Sequence, residues 1–129
     1  MSEQVIRILV VEDHDVVRRS VVALLGRQAD MEVVGTATNG REAIELAQAL
    51  EPDVIIMDVS MPELDGIRAA GKIQALNIPS RIIMLSMHYN STLVQQARKH
   101  GACAYLSKQR ASRDLIPAIR AASTGMLSL

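Results

Sequence analysis

Five polar side chains capable of chemistry follow the apolar runs of this sequence. In chain order they are Glu12, Asp13, Asp58, Ser86 and Lys108. A carboxylate at the edge of an apolar core costs free energy unless it is compensated. Two carboxylates about 4 Å apart repel each other by roughly 4 kcal/mol at an effective dielectric near 20. If the three acidic residues meet, either a proton or a cation must therefore relieve the repulsion.

The ligand types in this set favour magnesium. Carboxylate and main-chain carbonyl oxygens suit Mg²⁺, which keeps several waters and often shares its coordination sphere with a phosphoryl group. The set contains no histidine or thiolate, which argues against zinc. A carboxylate, an ammonium and a hydroxyl beside Mg²⁺ are the groups that phosphoryl transfer needs. Asp58 is the predicted nucleophile, and Lys108 and Ser86 are predicted to contact the phosphoryl oxygens.

Apolar runs alternate with segments of helical periodicity, which predicts five strand-then-helix units. The predicted strands cover 6–11, 31–36, 54–57, 81–86 and 104–107. After a turn from Pro62 to Gly66, a helix is predicted over 66–75. Such units form an α/β fold, with a parallel sheet and helices on both faces. Because the carboxyl ends of parallel strands share one edge, the five polar side chains are expected to converge there.

Polar side chains mark where three of the predicted helices begin. The predicted N-caps are Asn39, Ser91 and Ser112. Pro117 is expected in the first turn of the last helix, where a missing N–H is tolerated.

Length and composition are those of a single domain. The chain has 129 residues, of which 49% are hydrophobic, and this suffices for one ordinary core. No secretion signal or membrane-spanning run is recognisable, so a cytoplasmic location without a membrane partner is expected. Cys103 is the only cysteine, which excludes an internal disulfide; it is expected to be a small buried hydrophobe.

Charge is distributed unevenly along the chain. Residues 1–65 carry thirteen acidic and five basic side chains, and residues 66–129 carry one acidic and nine basic ones. The resulting dipole can steer a partner or a second copy of the chain. The basic half has only Tyr89 and Tyr105 as aromatic residues and no compact basic run, so direct contact with nucleic acid is not expected.

Four motifs together resemble the receiver domain of bacterial two-component response regulators. They are V-V-E-D (10–13), I-I-M-D-V-S-M-P-E-L-D-G (55–66), M-L-S (84–86) and G-A-C-A-Y-L-S-K (101–108). The resemblance covers essentially the whole chain. It implies one receiver domain over 1–129 with a flavodoxin-like, CheY-like sheet in the order 2-1-3-4-5.

The resemblance also implies a role for each site residue. Asp58 would accept phosphate from a phosphohistidine of a sensor histidine kinase, and Lys108 would pair with the phosphoryl group. Mg²⁺ would bind Asp13 directly and Glu12 through water, with the main-chain carbonyl of Ser60 as a further ligand. The domain would promote its own phosphorylation and dephosphorylation without turning over an external substrate.

A switch pair and two tuning positions are implied as well. Ser86 would move toward the phosphate, and Tyr105 would fill the vacated space. Ser60 and His88 would flank the phosphoryl group and tune its hydrolysis. The expected result is a two-state shift over about 91–123 that an output domain, an adaptor or another receiver detects.

The C-terminal part is similar to the NarL/FixJ subfamily, whose members usually carry a LuxR-type helix-turn-helix. The similarity rests on S-M-H-Y-N (86–90), G-A-C-A-Y-L-S-K (101–108) and D-L-I-P-A-I-R-A-A-S-T-G (114–125). The sequence ends at Leu129 and is interpreted as a fragment of a DNA-binding transcription regulator, with a stand-alone receiver as the alternative. A phosphorylation-linked homodimer is compatible with either.

Three other function classes remain open. A haloacid-dehalogenase-type phosphatase also uses a nucleophilic Asp after a parallel strand, but it needs a second acid where this chain has Ser60. A flavodoxin-like cofactor carrier would need a phosphate-cradling loop where E-D-H-D (12–15) would repel an anion. A phosphorylation-independent receiver would act through protein contacts alone.

Overall fold

The computed structural model describes residues 4–61 and 64–125. Within them, five parallel strands form one sheet in the order β2-β1-β3-β4-β5. The strands are β1 (Ile6–Val11), β2 (Met31–Ala37), β3 (Val54–Asp58), β4 (Arg81–Ser86) and β5 (Ala102–Ser107). The helices are α1 (Asp15–Gly26), α2 (Gly40–Leu50), α3 (Gly66–Ala75), α4 (Ser91–Lys99) and α5 (Ala111–Ser123). The predicted fold class and strand order are confirmed.

The central strands are apolar without interruption because helices cover both faces of the sheet. Consecutive residues of β3 alternate between the two faces: Ile55 belongs to one core cluster and Ile56 to the other. The first cluster includes buried residues of α2, α3 and α4, and the second includes buried residues of α1 and α5. Cys103 lies buried in the second cluster, as expected of a small hydrophobe.

The first predicted cap is confirmed and the second is wrong. Asn39 caps α2, and its side-chain oxygen accepts a hydrogen bond from the Glu42 N–H at 2.9 Å. The cap of α4 is Asn90, whose side chain accepts from the Leu93 N–H at 2.8 Å. Asn90 has the extended backbone that a cap needs, and Ser91 is already the first helical residue.

The predicted start of α5 is also wrong. A short 3₁₀ helix over Lys108–Arg110 leads directly into α5, so that Ser112 lies inside the helix. The polar cap belongs to the 3₁₀ turn, where the Ser107 hydroxyl accepts from the Gln109 N–H at 3.2 Å. Pro117 lies in the helix interior rather than in the first turn. Its side is exposed, so the carbonyl that loses its partner can bind water.

Three strands extend beyond their predicted ends. β2 includes Ala37, β3 includes Asp58, and β5 begins at Ala102 instead of at 104. Ala102 pairs with Ile82 ahead of a register shift in β4, which the apolar pattern does not reveal. The predicted turn from Pro62 to Gly66 lies partly outside the described residues. Among the residues that are described, no helix is long and apolar enough to cross a membrane.

Candidate functional site

The five polar side chains predicted to act together follow the carboxyl ends of four neighbouring strands. Glu12 and Asp13 follow β1, Asp58 ends β3, Ser86 ends β4, and Lys108 follows β5. One carboxylate oxygen from each of Glu12, Asp13 and Asp58 lies within 4.8 Å of the others. The parallel arrangement therefore brings the three acidic groups together as expected.

Lys108 bridges two of these carboxylates. Its Nζ lies 2.8 Å from Glu12 Oε1 and 3.0 Å from Asp58 Oδ1. The side chains of Glu12 and Asp58 are each only 3% exposed, and that of Lys108 is 12% exposed. Burial tends to lower the pKa of Lys108, but the hydrogen bonds and charges of the two carboxylates outweigh it and raise the pKa above its usual value. The ammonium therefore stays charged.

The Asp58 carboxyl resists ionisation in the absence of a metal. Burial raises its pKa to about 7, and the neighbouring Glu12 raises it as well, while the hydrogen bond from Lys108 acts in the opposite direction. The single ammonium of Lys108 therefore does not fully compensate the negative charge of the three carboxylates. A second cation would favour the ionised form of Asp58.

Main-chain groups hold the two buried carboxylates in place. The Ser60 N–H donates to Asp58 Oδ1 at 3.2 Å, and the His14 N–H donates to Glu12 Oε2 at 3.1 Å. Arg18 was missed by the sequence reasoning: its Nη1 donates to the Glu12 carbonyl at 3.1 Å. The signal was its place in the first turn of α1, where Arg18 also pairs with Asp15.

The residues of the predicted switch lie on one short hydrogen-bonded path. The Ser86 hydroxyl accepts from the His88 N–H at 3.0 Å, and the Tyr105 hydroxyl donates to the His88 carbonyl at 2.7 Å. Ser86 and Tyr105 are buried, whereas His88 is exposed. Tyr89 packs edge-to-face on Tyr105 with ring centroids 5.7 Å apart. The main chain of residue 88 therefore links the end of β4 to the Tyr105 ring.

Gly66 was predicted to end a turn and begin a helix, but its close approach to Asp58 was not predicted. A Cβ at this position would lie 2.0 Å from the carbonyl oxygen of Asp58. The Gly66 N–H donates to the Val59 carbonyl at 2.9 Å, which fixes the start of α3 against the end of β3. Its place directly after Asp65, the N-cap of α3, was the available signal.

The acidic cluster fits a hard divalent cation. Three carboxylates supply oxygen ligands that Mg²⁺ prefers, and the exposed Asp13 opens the cluster to solvent on one side. Within the described residues, the Asp13 carboxylate takes part in no hydrogen bond or ion pair. This carboxylate is therefore free to take a cation.

Residues 8–120 match the family model of the response regulator receiver domain. The chain belongs to the response regulator receiver family. This receiver domain is 36% identical over 122 residues to the nitrate/nitrite response regulator protein NarL of Escherichia coli K12, covering 95% of this chain and 56% of that protein. It is 44% identical over 116 residues to the transcriptional regulatory protein PdtaR of Mycobacterium tuberculosis H37Rv, covering 90% of this chain and 56% of that protein.

A solved receiver structure has the same fold as this domain. The signal receiver domain of the putative response regulator NarL from Mycobacterium tuberculosis superposes with a TM-score of 0.91 at 32% identity, covering 95% of this chain and 98% of that one. The resemblance to NarL-type response regulators is thus confirmed. The receiver domain spans a little over half the length of the curated relatives it matches.

Proposed function

We propose that Asp58 is the phosphoacceptor of this receiver domain and that the domain relays a signal from a sensor histidine kinase. The observation that carries the proposal is the Lys108 ammonium 3.0 Å from a buried Asp58 carboxylate, beside the oxygens of Glu12 and Asp13. Glu12, Asp13, Asp58 and the main-chain carbonyl of Ser60 would hold Mg²⁺. Bound Mg²⁺ supplies charge neutralisation for a phosphoryl group.

The chemistry follows from the positions of the charges. An Asp58 carboxylate oxygen attacks phosphorus, the bond from phosphorus to the donor's leaving atom breaks, and an acyl phosphate remains on Asp58. With a phosphohistidine donor, the leaving group is the imidazole. Lys108 Nζ forms an ion pair with Asp58 Oδ1 at 3.0 Å, and we propose that it pairs with a phosphoryl oxygen once Asp58 carries phosphate. The Ser86 hydroxyl, at the end of β4, is proposed to donate a hydrogen bond to a second phosphoryl oxygen.

Phosphate on Asp58 would act through the path from Ser86 to Tyr105. The Ser86 hydroxyl now accepts a hydrogen bond from the His88 N–H at 3.0 Å, and it would lose this bond on turning to the phosphate. The Tyr105 hydroxyl is bonded to the carbonyl of that same residue, so the two side chains respond together. We expect the shift in α4, β5 and α5, with Ser60 and His88 tuning how fast water hydrolyses the phosphate.

The experiment that tests the proposal is labelling by a small phosphodonor such as acetyl phosphate. We expect one phosphoryl group per chain with Mg²⁺ and almost none after chelation, because the metal must offset the charge of the incoming group. Intact-mass spectrometry gives the stoichiometry. Metal-independent labelling, or steady release of phosphate with many turnovers, would contradict the proposal and favour a phosphatase.

A groove beside Lys108 is the proposed docking surface of the phosphohistidine donor. It has a volume of about 570 Å³ and is lined mainly by apolar side chains of α1 with Met87, Lys108 and the start of α5. Val16 and Met87, which line this groove, are 66% and 59% exposed. An apolar patch that borders the reactive carboxylate suits a protein that must bring its phosphohistidine to Asp58.

We expect Val16→Lys to slow phosphoryl transfer from a protein donor by about tenfold, because it places a charge in the apolar part of the contact. Labelling by acetyl phosphate should not change, since Val16 touches no reacting group. The protein donor is a phosphorylated histidine-phosphotransfer domain, and rapid-quench kinetics give both rates. Leu76→Lys, at the 48% exposed end of α3, is the matched control. Equal slowing by both variants would rule out this docking surface.

Transcriptional output is proposed from the relatives. PdtaR is named a transcriptional regulatory protein and NarL a response regulator, and the domain covers 56% of each. We propose that it controls transcription through an output domain that reads α4, β5 and α5. A phosphorylation-independent receiver is the second candidate, and failure to label with phosphate would favour it.

A further inference from the structure

Arg18 bonds to both ends of the segment 12–15, which joins β1 to α1; we call this segment the β1–α1 loop. Its Nη1 donates to the Glu12 carbonyl at 3.1 Å, and its Nη2 pairs with Asp15 Oδ1. The side chain of Arg18 is only 18% exposed, whereas that of Asp15 is 68% exposed. Arginine is usually an exposed residue, so this guanidinium is held against the loop and not in solvent.

The start of a helix is an unfavourable place for a cation. A helix carries a partial positive charge at its N-terminus, and basic side chains are stabilised at the other end. The Arg18 N–H donates to the carbonyl of His14, the N-cap of α1, at 2.9 Å, so Arg18 lies one turn into the helix. Its contacts with Asp15 and the Glu12 carbonyl, and not the helix dipole, therefore stabilise it there.

The carbonyl that Arg18 binds belongs to the peptide group between Glu12 and Asp13. Successive side chains of an extended strand point to opposite faces, yet these two residues have carboxylate oxygens within 4.8 Å of each other. The main chain bends at Asp13. Because the orientation of this peptide group helps to decide where both side chains point, Arg18 holds the part of the main chain on which their meeting depends.

Asp13 depends on the main chain more than Glu12 does. The Glu12 carboxylate is held by Lys108 Nζ at 2.8 Å and by the His14 N–H at 3.1 Å. In the part of the chain that the structure describes, no such bond holds the Asp13 carboxylate. A ligand that is already in place binds with less loss of conformational entropy. Fixing the main chain before Asp13 therefore favours metal binding.

We propose that Arg18 is a positioning residue for Mg²⁺, which holds Asp13 ready for the ion by bonding to the Glu12 carbonyl. The inference rests on the proposed function, in which Glu12 and Asp13 hold Mg²⁺. Positioning and charge have opposite effects on the affinity. A cation near three carboxylates repels a second cation, so the loss of its charge alone would tighten Mg²⁺ binding, whereas the loss of positioning would weaken it.

The test is a Mg²⁺ titration without phosphodonor, followed in amide NMR spectra. We expect Arg18→Met to raise the Kd about tenfold, as for other groups that hold a metal ligand in place. Arg18→Lys keeps the charge but lacks the guanidinium fork that spans two acceptors, and it should raise the Kd about threefold. Arg19→Met removes the same charge from an exposed neighbouring position and should change the Kd by less than about twofold.

Excess Mg²⁺ should restore most of the acetyl phosphate labelling of Arg18→Met, because the variant impairs occupancy of the metal site and not the reacting groups. An unchanged or lower Kd in Arg18→Met, an equal rise in Arg19→Met, or labelling that stays slow at saturating Mg²⁺ would overturn the inference. If circular dichroism shows that Arg18→Met does not fold, Arg18→Lys decides, and an unchanged Kd in it would overturn the inference. Failure of the unchanged protein to bind Mg²⁺ or to be labelled would instead contradict the proposed function.

Discussion

Asp58→Asn is expected to abolish phosphoryl labelling by acetyl phosphate. The amide is nearly isosteric with the carboxylate but offers no anionic oxygen to attack phosphorus. Glu12 is a buried carboxylate held by Lys108 and the His14 N–H, so it is a poor substitute nucleophile. Asp13 is exposed, but it would be committed to the metal. Intact-mass spectrometry with and without Mg²⁺ checks the result.

Asp15→Asn is the matched control for this substitution. Asp15 is an exposed carboxylate at the start of α1 that pairs with Arg18, and it touches neither Lys108 nor Asp58. We expect its labelling to equal that of the unchanged protein. Full labelling of Asp58→Asn, or equal losses in both variants, would exclude Asp58 as the phosphoacceptor.

Asp58→Asn should also be more stable than the unchanged protein when no divalent cation is present. The pKa of Asp58 is raised from 3.8 to about 7 by burial and by Glu12. Its contribution to stability is therefore complete below about pH 4 and is lost as the pH rises to about 7, because the folded chain keeps a proton that the unfolded chain has released. Asn cannot ionise and removes this dependence.

Urea unfolding with a chelator measures this difference. At a pH above about 7, we expect Asp58→Asn to raise the free energy of unfolding by about 2–4 kcal/mol, since one pKa unit corresponds to about 1.4 kcal/mol. Below about pH 4 the two proteins should be nearly equal. Mg²⁺ should stabilise the unchanged protein more than the variant. Parallel pH profiles would mean that Asp58 is ionised in the folded chain without a metal.

The convergence of polar side chains at the strand ends could be predicted from the sequence, because parallel strands place their carboxyl ends at one edge. Reading the residue that follows each strand was then enough to predict that Glu12, Asp58 and Lys108 lie close together. The distances from Lys108 Nζ, 2.8 Å to Glu12 and 3.0 Å to Asp58, agree with that expectation. The position of Asp13 in the acidic cluster followed in the same way. The close approach of Gly66 to Asp58 could not be predicted, because the spacing of apolar residues along the sequence carries no information on how near two main-chain segments lie.

Helix starts were less predictable because adjacent residues offer equivalent caps. Asn90 and Ser91 both favour an N-cap, and the extended backbone of Asn90 decides between them. At α5, the 3₁₀ turn from Lys108 moves the start ahead of Ser112. That turn follows the end of β5, so its geometry depends on the sheet and not on the local sequence.

Gly66→Ala is expected to damage the site from a position outside the reacting groups. The new Cβ would lie 2.0 Å from the Asp58 carbonyl oxygen and 2.9 Å from the Met57 side chain. The first contact is with backbone, so the end of β3 or the start of α3 must move. We expect the free energy of unfolding to fall by about 1–3 kcal/mol, as for overpacked cores.

Labelling of Gly66→Ala should slow by about a hundredfold, because a displacement of about 1 Å at a reacting group has effects of that size. The rate is measured under conditions where the variant is folded, as checked by circular dichroism. Gly26→Ala is the control, since a Cβ there meets nothing within 4 Å and should stabilise α1 by up to about 1 kcal/mol. An unchanged labelling rate in folded Gly66→Ala would mean that α3 shifts while Asp58 stays in place. The close contact would then affect stability but not phosphoryl transfer.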